Sequence, residues 1–186
     1  MVRGSRMKKL VCVIFIGLFA GIMAFAEHPD GLGLGLTSNF GWGQFGEDYR
    51  SGYFNPGISL KIPHVPVYWG FYGNLKPNSV GFGFSGDYYI IDKTIVDEDR
   101  TNEKGIYRLK MGWYLGAGIF ANMDIWYGTW KIFNLGIRVP GGVSWYFTEK
   151  FELFAGVAPS FGAWMFEGYK GPHWLINEEI GVRYWF

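Results

Sequence analysis

The end of the chain alternates apolar residues with small or charged ones and stops on an aromatic side chain. Ile180, Val182, Tyr184 and Phe186 occupy every second position. Because successive side chains of a β-strand point to opposite faces, these four residues share one face of a strand. A strand with one wholly apolar face needs apolar surroundings on that side, and this requirement constrains the fold more than any other feature of the sequence.

The same period of two recurs along most of the chain. Leu32, Leu34 and Leu36, for example, alternate with Gly33 and Gly35. Eight segments of strand length can be counted in this way, and no apolar run after residue 26 approaches the roughly 20 residues of a membrane helix. The pattern therefore predicts an all-β fold: a closed, antiparallel, up-and-down transmembrane β-barrel of eight strands.

Charged residues fall mainly on the parity opposite to the apolar one. In the core of a soluble barrel they would be costly unpaired charges, whereas in a transmembrane barrel this parity faces the lumen. An eight-stranded barrel is wide enough only for its own side chains or one small ligand. The charges then form either a salt-bridged plug or, where inward glycines leave space, the lining of a narrow conduit. The predicted lumen charge network consists of Lys61, Asp87, Arg108, Lys110, Arg138, Glu152, Glu179 and Arg183.

Aromatic residues make up 20% of the chain. When the strands are drawn alternately up and down, the large aromatics gather at two heights. Such girdles mark the two membrane interfaces of transmembrane barrels. The predicted girdles contain Trp42 and Trp174 at the outer interface and Trp69, Trp145 and Phe147 at the inner one.

The first 26 residues have the three parts of a secretory signal peptide. Four basic residues precede an apolar run from Leu10 to Met23, and the small-x-small site Ala24-Phe25-Ala26 follows. The sequence predicts cleavage after Ala26, export through the Sec pathway and a mature domain of residues 27–186; an uncleaved anchor is the alternative. The one cysteine, Cys12, leaves with the signal, which excludes disulfide and thiolate chemistry from the mature domain.

Charge and histidine content argue against several classes of function. Without the four basic residues of the signal, 13 Lys+Arg remain against 16 Asp+Glu, a net charge of −3. That balance argues against a nucleic-acid partner. His28, His64 and His173 are far apart, at the mature N-terminus, a predicted inner turn and a predicted outer loop, with no metal-ligand spacing. We expect no enzymatic activity, cofactor or metal.

A polar segment from Asp92 to Gly105 divides the chain and is expected to lie in water. With eight strands, both termini fall on the inner, periplasmic side, and so does this segment. Long polar connections of such barrels usually lie outside the cell. A ten-stranded barrel, with one more strand on each side of the segment, is therefore the alternative.

The whole mature chain resembles the small eight-stranded outer-membrane proteins of diderm bacteria. Its last strand is similar to the C-terminal signal that the barrel-insertion machinery reads, carried here by Ile180, Val182, Tyr184 and Phe186. The resemblance implies the cell outer membrane as location, with outer-membrane lipids and that machinery as partners. Within this class the chain is most similar to the OmpW type, on a Leu-Gly-rich first strand and an aromatic-rich wall.

The OmpW likeness implies a narrow lumen that passes small, often hydrophobic, molecules to a lateral exit. Pro140 or Pro159 would mark that exit, because proline cannot donate to the strand ladder; a simple bulge is the alternative. Two functions of different class follow. One is a narrow channel or passive uptake route, and the other is a non-conducting structural or surface-interaction (adhesin-like) barrel with a salt-bridged lumen.

Overall fold

The computed structural model is one antiparallel sheet that closes on itself. It describes residues 28–45, 49–76, 79–102, 105–126, 131–166 and 169–186, and the predicted signal peptide (1–26) lies outside the described residues. A helix able to cross a membrane is absent from the described part of the chain. The strands are β1 (Gly33–Phe45), β2 (Tyr49–Lys61), β3 (Tyr68–Lys76), β4 (Ser79–Asn102), β5 (Gly105–Trp126), β6 (Lys131–Arg138), β7 (Gly141–Thr148), β8 (Phe151–Phe166) and β9 (Tyr169–Trp185).

The nine strands occupy eight positions in a ring. Strands β6 and β7 follow one another along the same line, and each pairs with β5 on one side and β8 on the other. All other sequence neighbours pair antiparallel, and β1 pairs with β9, which closes the sheet. The predicted eight-stranded up-and-down barrel is confirmed.

The register of the strands gives the tilt of the barrel. If the paired residue is followed from strand to strand around the ring, the path starts at Gly33 and returns to β1 at Gly43. The shear of the barrel is therefore ten residues for eight strand positions. A barrel of this kind has strands tilted by about 35–45° and an interior that side chains can fill. The circuit runs through Gly33, Lys61, Tyr68, Asp87, Gly118, Arg138, Ser160, Leu175 and Gly43.

The wall has apolar side chains outside and polar side chains inside. Leu36 is 69% exposed, whereas Glu152 is fully buried. This is the reverse of a soluble protein, in which charged groups are almost never fully buried unless paired. The outward-facing, exposed side chains include Leu34, Phe54, Ile58, Phe71, Phe82, Ile119, Leu135, Ile137, Val143 and Phe161.

The wall is irregular at Val139 and Pro140. The alternation from 132 to 147 reads as one strand, but Pro140 has no N–H to donate and separates β6 from β7. Backbone hydrogen bonds nevertheless continue past it, from Gly116 N to Pro140 O (2.7 Å) and from Val139 N to Pro159 O (2.9 Å). The wall therefore stays closed beside both prolines, as expected for the bulge alternative.

Strands β4 and β5 extend far beyond the barrel wall as a two-stranded hairpin. Ladder pairing of β4 with β3 ends at Asp87, and that of β5 with β7 ends at Lys110, but β4 and β5 stay paired as far as Asn102 and Gly105. The polar segment from Asp92 is thus part of two long strands rather than a loop. The hairpin projects on the side of both chain termini, so the parity argument holds and the ten-stranded alternative is wrong.

Candidate functional site

Three charged side chains meet across the lumen at mid-height. We call Asp87, Arg138 and Glu179 the central triad. Arg138 lies 3.1 Å (Nε to Oδ1) from Asp87 and donates from Nη2 to Glu179 Oε1 at 2.6 Å. They come from β4, β6 and β9, and Arg138 is only 2% exposed. One guanidinium thus joins carboxylates from two other sides of the barrel, which is the geometry in which buried charges are tolerated.

Neutral donors complete the shell of the central triad. Glu179 Oε1 also accepts hydrogen bonds from the Tyr72 hydroxyl (3.0 Å) and the Asn39 amide (3.2 Å). Three donors, from Arg138, Tyr72 and Asn39, thus converge on one oxygen of Glu179.

A second charged layer lies nearer the termini. Glu152 Oε2 accepts hydrogen bonds from Arg183 Nη1 (2.8 Å) and from the indole N–H of Trp185 (2.9 Å). Arg183 donates in addition to Ser59 Oγ (2.8 Å) and packs on the ring of Phe154, 4.6 Å from its centroid. The donors of Arg183 and Trp185 named here each have an acceptor, so the layer is a polar network whose hydrogen bonds are largely satisfied.

The terminus-side mouth is filled by His28, which precedes β1. Its ring Nδ1 contacts Asp92 Oδ1, its backbone N–H donates to Asp92 Oδ2 (3.1 Å), and its Nε2 lies 3.2 Å from Glu152 Oε1. Burial alone would lower the pKa of His28, but the two carboxylates outweigh it and raise that pKa above the ordinary value of 6.5. His28 is thus held between acidic groups of β4 and β8.

Aromatic rings surround His28 on its remaining sides. Tyr68, Tyr89 and Tyr114 form a continuous stack, with ring centroids 4.1 and 4.2 Å apart. The rings of these residues, Tyr146 and Trp185 lie 5.6–6.5 Å from that of His28, the four tyrosines edge-on. Five aromatic residues and two carboxylates therefore form a cage around one imidazole.

Two further residues, Asp30 and Leu32, hold the segment that follows His28 in place. Asp30 accepts a hydrogen bond from the backbone N–H of His64 (3.3 Å) and lies 3.2 Å from its ring nitrogen. The carbonyl of Leu32 accepts a hydrogen bond from the N–H of Phe186 (2.9 Å). Positions 28, 30 and 32 thus fix the start of the chain to the mouth of the barrel.

The structure brings together five of the eight predicted lumen charges. Asp87, Arg138 and Glu179 form the central triad, and Glu152 and Arg183 form the second layer. The sixth, Lys61, is buried at the rim, where its Nζ lies 3.8 Å from Asp30 and donates to the carbonyl of Ile62 (3.2 Å). Two further members lie elsewhere, as described next.

Lys110 lies where the wall ends, and Arg108 follows on the projecting hairpin. Lys110 is in register with both Tyr146 and Asp97, and Arg108 is in register with Asp99. The Lys110 ammonium lies 5.1 Å from the ring centroid of Tyr146 at the mouth, and the Arg108 side chain lies outside the described residues. Sequence parity alone assigned them inward, because it carries no information about where the ring of strands ends.

Two residues of the site were missed at the sequence level. Asp92 was expected in water, but a bulge between Tyr89 and Ile91 shifts the parity of β4 and turns Asp92 inward, where it is 2% exposed. His28 lies in no strand and gave no periodic signal. Among the described residues no cluster of His, Asp, Glu or Cys has the arrangement of a metal site.

Uncharged polar groups dominate the described lumen away from the termini. Asn177 donates to Ser160 Oγ (2.6 Å) and to the carbonyl of Ala158 (3.3 Å), and it accepts from the Tyr53 hydroxyl. His173, which was expected in an outer loop, lies instead in β9 with a buried ring 5.7 Å from that of Phe120. The loop assignment is wrong because strand β9 begins at residue 169, four residues earlier.

The outer surface carries the predicted aromatic and C-terminal features. Trp42 and Trp174 pack edge to face, 5.0 Å apart, near the end of the barrel opposite the termini. Trp69 lies beside the start of β3, and Trp145 and Phe147 pack 4.5 Å apart near the end of β7, all on the terminus side. Ile180, Val182, Tyr184 and Phe186 lie on the outward face at the closing seam between β9 and β1.

Comparison with known proteins supports the fold. No family model and no curated protein matches the chain. The crystal structure of Neisserial surface protein A is similar over 84% of this chain and 97% of that chain, with a TM-score of 0.54 and 19% identity. The structure of Ail, the attachment invasion locus protein of Yersinia pestis, covers 84% of this chain and 99% of that chain, with a TM-score of 0.40 and 13% identity. At 19% identity the first likeness shows the barrel fold alone.

Proposed function

We propose that the protein is an integral outer-membrane barrel that does not conduct and acts as a structural or surface-interaction protein. The observation that carries this proposal is the closure of the lumen by the central triad and by the layer of His28, Glu152 and Arg183. A channel, the function that the OmpW resemblance suggests, would need an open path through both layers.

The membrane location rests on the polarity of the wall. Large apolar side chains are exposed all around the barrel, and the described ion pairs of the barrel wall lie inside it. In water this surface would aggregate, whereas in lipid it removes the apolar side chains from water. The export signal, the C-terminal strand and the aromatic girdles point to the outer membrane in particular.

The inward glycines do not widen the lumen. A Cβ on Gly118 would clash with Asp87, one on Gly70 with Tyr72, and one on Gly156 would lie 2.6 Å from the Tyr114 hydroxyl. The space beside these glycines is thus already taken by neighbouring side chains. A cavity next to Asp87 and Arg183 measures about 20 Å³, enough for one water molecule.

The hairpin ends opposite the termini are the surface that we propose for interaction. The strand pair β1 and β2 and the pair β5 and β6 extend in register to Phe45–Tyr49 and Ile125–Lys131 at that end. With periplasmic termini, these ends face the outside of the cell. The similar Neisserial protein is itself named a surface protein, which agrees with this reading.

Conductance measurements test the closed lumen. Residues 27–186 are refolded into planar bilayers and into liposomes, with a known porin as positive control. We expect no conductance steps and no solute uptake from this protein. Single-channel steps of constant size, or liposome swelling in small solutes, would overturn the proposal in favour of the channel.

Loop replacement tests the surface role. Residues 46–48 and 127–130 are replaced by Gly-Ser linkers of equal length, and binding of labelled protein to host-cell extracellular matrix is measured. We expect the binding to be lost, while a matched replacement of the terminus-side turn 149–150 leaves it unchanged. Full binding after the first replacement would remove the surface-interaction function.

A further inference from the structure

We propose that the terminus-side mouth is a binding site for an imidazolium-type cation, and that the protein's own His28 fills it and latches the projecting hairpin to the opposite wall. Residues Asp92 and Glu152 with the rings of Tyr68, Tyr89, Tyr114, Tyr146 and Trp185 are called the cage. The inference goes beyond the proposed function, since it holds whether or not the lumen conducts.

The geometry of the ring nitrogens identifies the ligand as a cation. Nδ1 and Nε2 of His28 each face a carboxylate oxygen, of Asp92 and Glu152 respectively. An ionised carboxylate has only acceptor sites, so both ring nitrogens must donate. An imidazole that donates from both nitrogens is doubly protonated and carries a positive charge.

The charge balance of the cage also fits one cation. Of the groups that face His28, two are acidic, and the second oxygen of Glu152 is already bound to Arg183 (2.8 Å). The remaining ring neighbours are four tyrosines and Trp185. The Lys110 ammonium lies 5.1 Å from the ring centroid of Tyr146, and Lys61 and Arg183 lie 5.6 and 5.0 Å from that of Tyr68. Two carboxylates and one bound guanidinium leave a single negative charge, which an imidazolium balances and a neutral imidazole does not. The cage thus prefers an imidazolium to a neutral imidazole.

The position of the cage makes His28 a latch. Asp92 follows the first bulge of β4, at the base of the projecting hairpin, whereas Glu152 belongs to β8, on the other side of the mouth. These strands are not neighbours in the ring. His28 therefore joins hairpin and opposite wall through one side chain, and the bonds of Asp30 and Leu32 deliver it to that place.

Chemical rescue tests the cage. The variant His28→Ala is refolded in lipid vesicles, and its urea unfolding midpoint is measured at pH 6.5 with and without imidazole. We expect the midpoint to fall relative to the unchanged protein and to recover in millimolar imidazole, but not in pyrazole, a ring of the same shape that stays neutral. Equal recovery in both compounds, or in neither, would overturn the cation site.

His64 provides the matched control. Its side chain is 87% exposed and contacts the same segment through Asp30. We expect the variant His64→Asn, which tolerates the left-handed backbone of this position (φ 60°) and keeps the backbone N–H bond to Asp30, to keep its midpoint within a small margin and not to respond to imidazole. A response of His64→Asn equal to that of His28→Ala would show a general effect of imidazole and contradict a specific cage.

Two further measurements remain decisive if His28→Ala fails to refold. In the unchanged protein, nitrogen NMR should show both ring nitrogens of His28 protonated at pH 6.5, and a neutral tautomer there would refute the site. For the latch, hydrogen exchange at Lys93–Glu98 should accelerate about tenfold or more in His28→Gln, as expected when a bond to a charged group is lost. Unchanged exchange at those amides would refute the latch.

Discussion

From mid-height to the terminus-side mouth the lumen is filled by charged side chains, whereas the described part of the opposite half is filled mainly by amides, hydroxyls and rings. Arg138 and Arg183 each bind carboxylates of other strands in the first region. In the second region, Asn177 and Ser160 bind each other and a nearby carbonyl. Both regions are buried, but Arg138 of β6 reaches carboxylates on β4 and β9, each two positions away in the ring, whereas Asn177 and Ser160 lie on adjacent strands.

This difference predicts which half of the barrel contributes more to its stability. A buried ion pair is expensive to break, because the remaining charge stays buried without a partner. A neutral hydrogen bond contributes less, and its loss leaves a smaller penalty. We therefore expect the terminus-side half to dominate the response to mutation, and the following predictions test that order.

The largest effect is expected for Arg138→Met. The change leaves the buried Asp87 and the largely buried Glu179, whose side chain is 13% exposed, without their shared cation. We expect the free energy of unfolding in lipid vesicles to fall by about 3–5 kcal/mol. Urea titration followed by tryptophan fluorescence measures it.

A neighbouring carboxylate provides the control for Arg138→Met. Glu178 precedes Glu179 on the opposite parity of β9, between Phe40 and Val157 in register. The variant Glu178→Gln removes a charge without touching the central triad, so we expect no loss of stability. If it costs as much as Arg138→Met, the loss comes from charge change in general rather than from the triad.

The sequence sufficed for the barrel and for much of its lining. A period of two is local, so strand number, outward apolar face and the inward parity of Asp87, Arg138 and Glu179 all follow from neighbouring residues. The terminal strand was readable for the same reason. From the sequence, Pro140 could mark either a lateral exit or a bulge. The hydrogen bond from Gly116, on another strand, decides between them, and the local sequence does not predict that bond.

The cage could not be predicted in the same way. His28 is 64 residues from Asp92 and 124 from Glu152 along the chain, and no period connects them. The bulge between Tyr89 and Ile91 shifts the parity of Asp92, and a bulge has no reliable local signature in a single sequence. The site therefore depends on long-range geometry that only the closed barrel creates.

A smaller effect is expected from pH. Since folding raises the pKa of His28 above 6.5, its contribution is fully present below that value and is lost as pH rises through the raised pKa. The loss should be that of a hydrogen bond to a charged group, about 1.5–3 kcal/mol. Unfolding of the unchanged protein and of His28→Gln is compared at pH 6 and at more alkaline pH; the difference between them should shrink, and a constant or growing difference would contradict a charged His28.

The smallest effect is expected for Asn177→Ala in the neutral half. The variant removes bonds to Ser160, Ala158 and Tyr53, yet all of these are uncharged groups. We expect the free energy of unfolding to fall by about 0.5–1.5 kcal/mol in the same urea titration. A loss as large as that of Arg138→Met would mean that the neutral half bears as much of the stability as the charged half. The contrast between the two regions would then concern their chemistry and not their contribution to the fold.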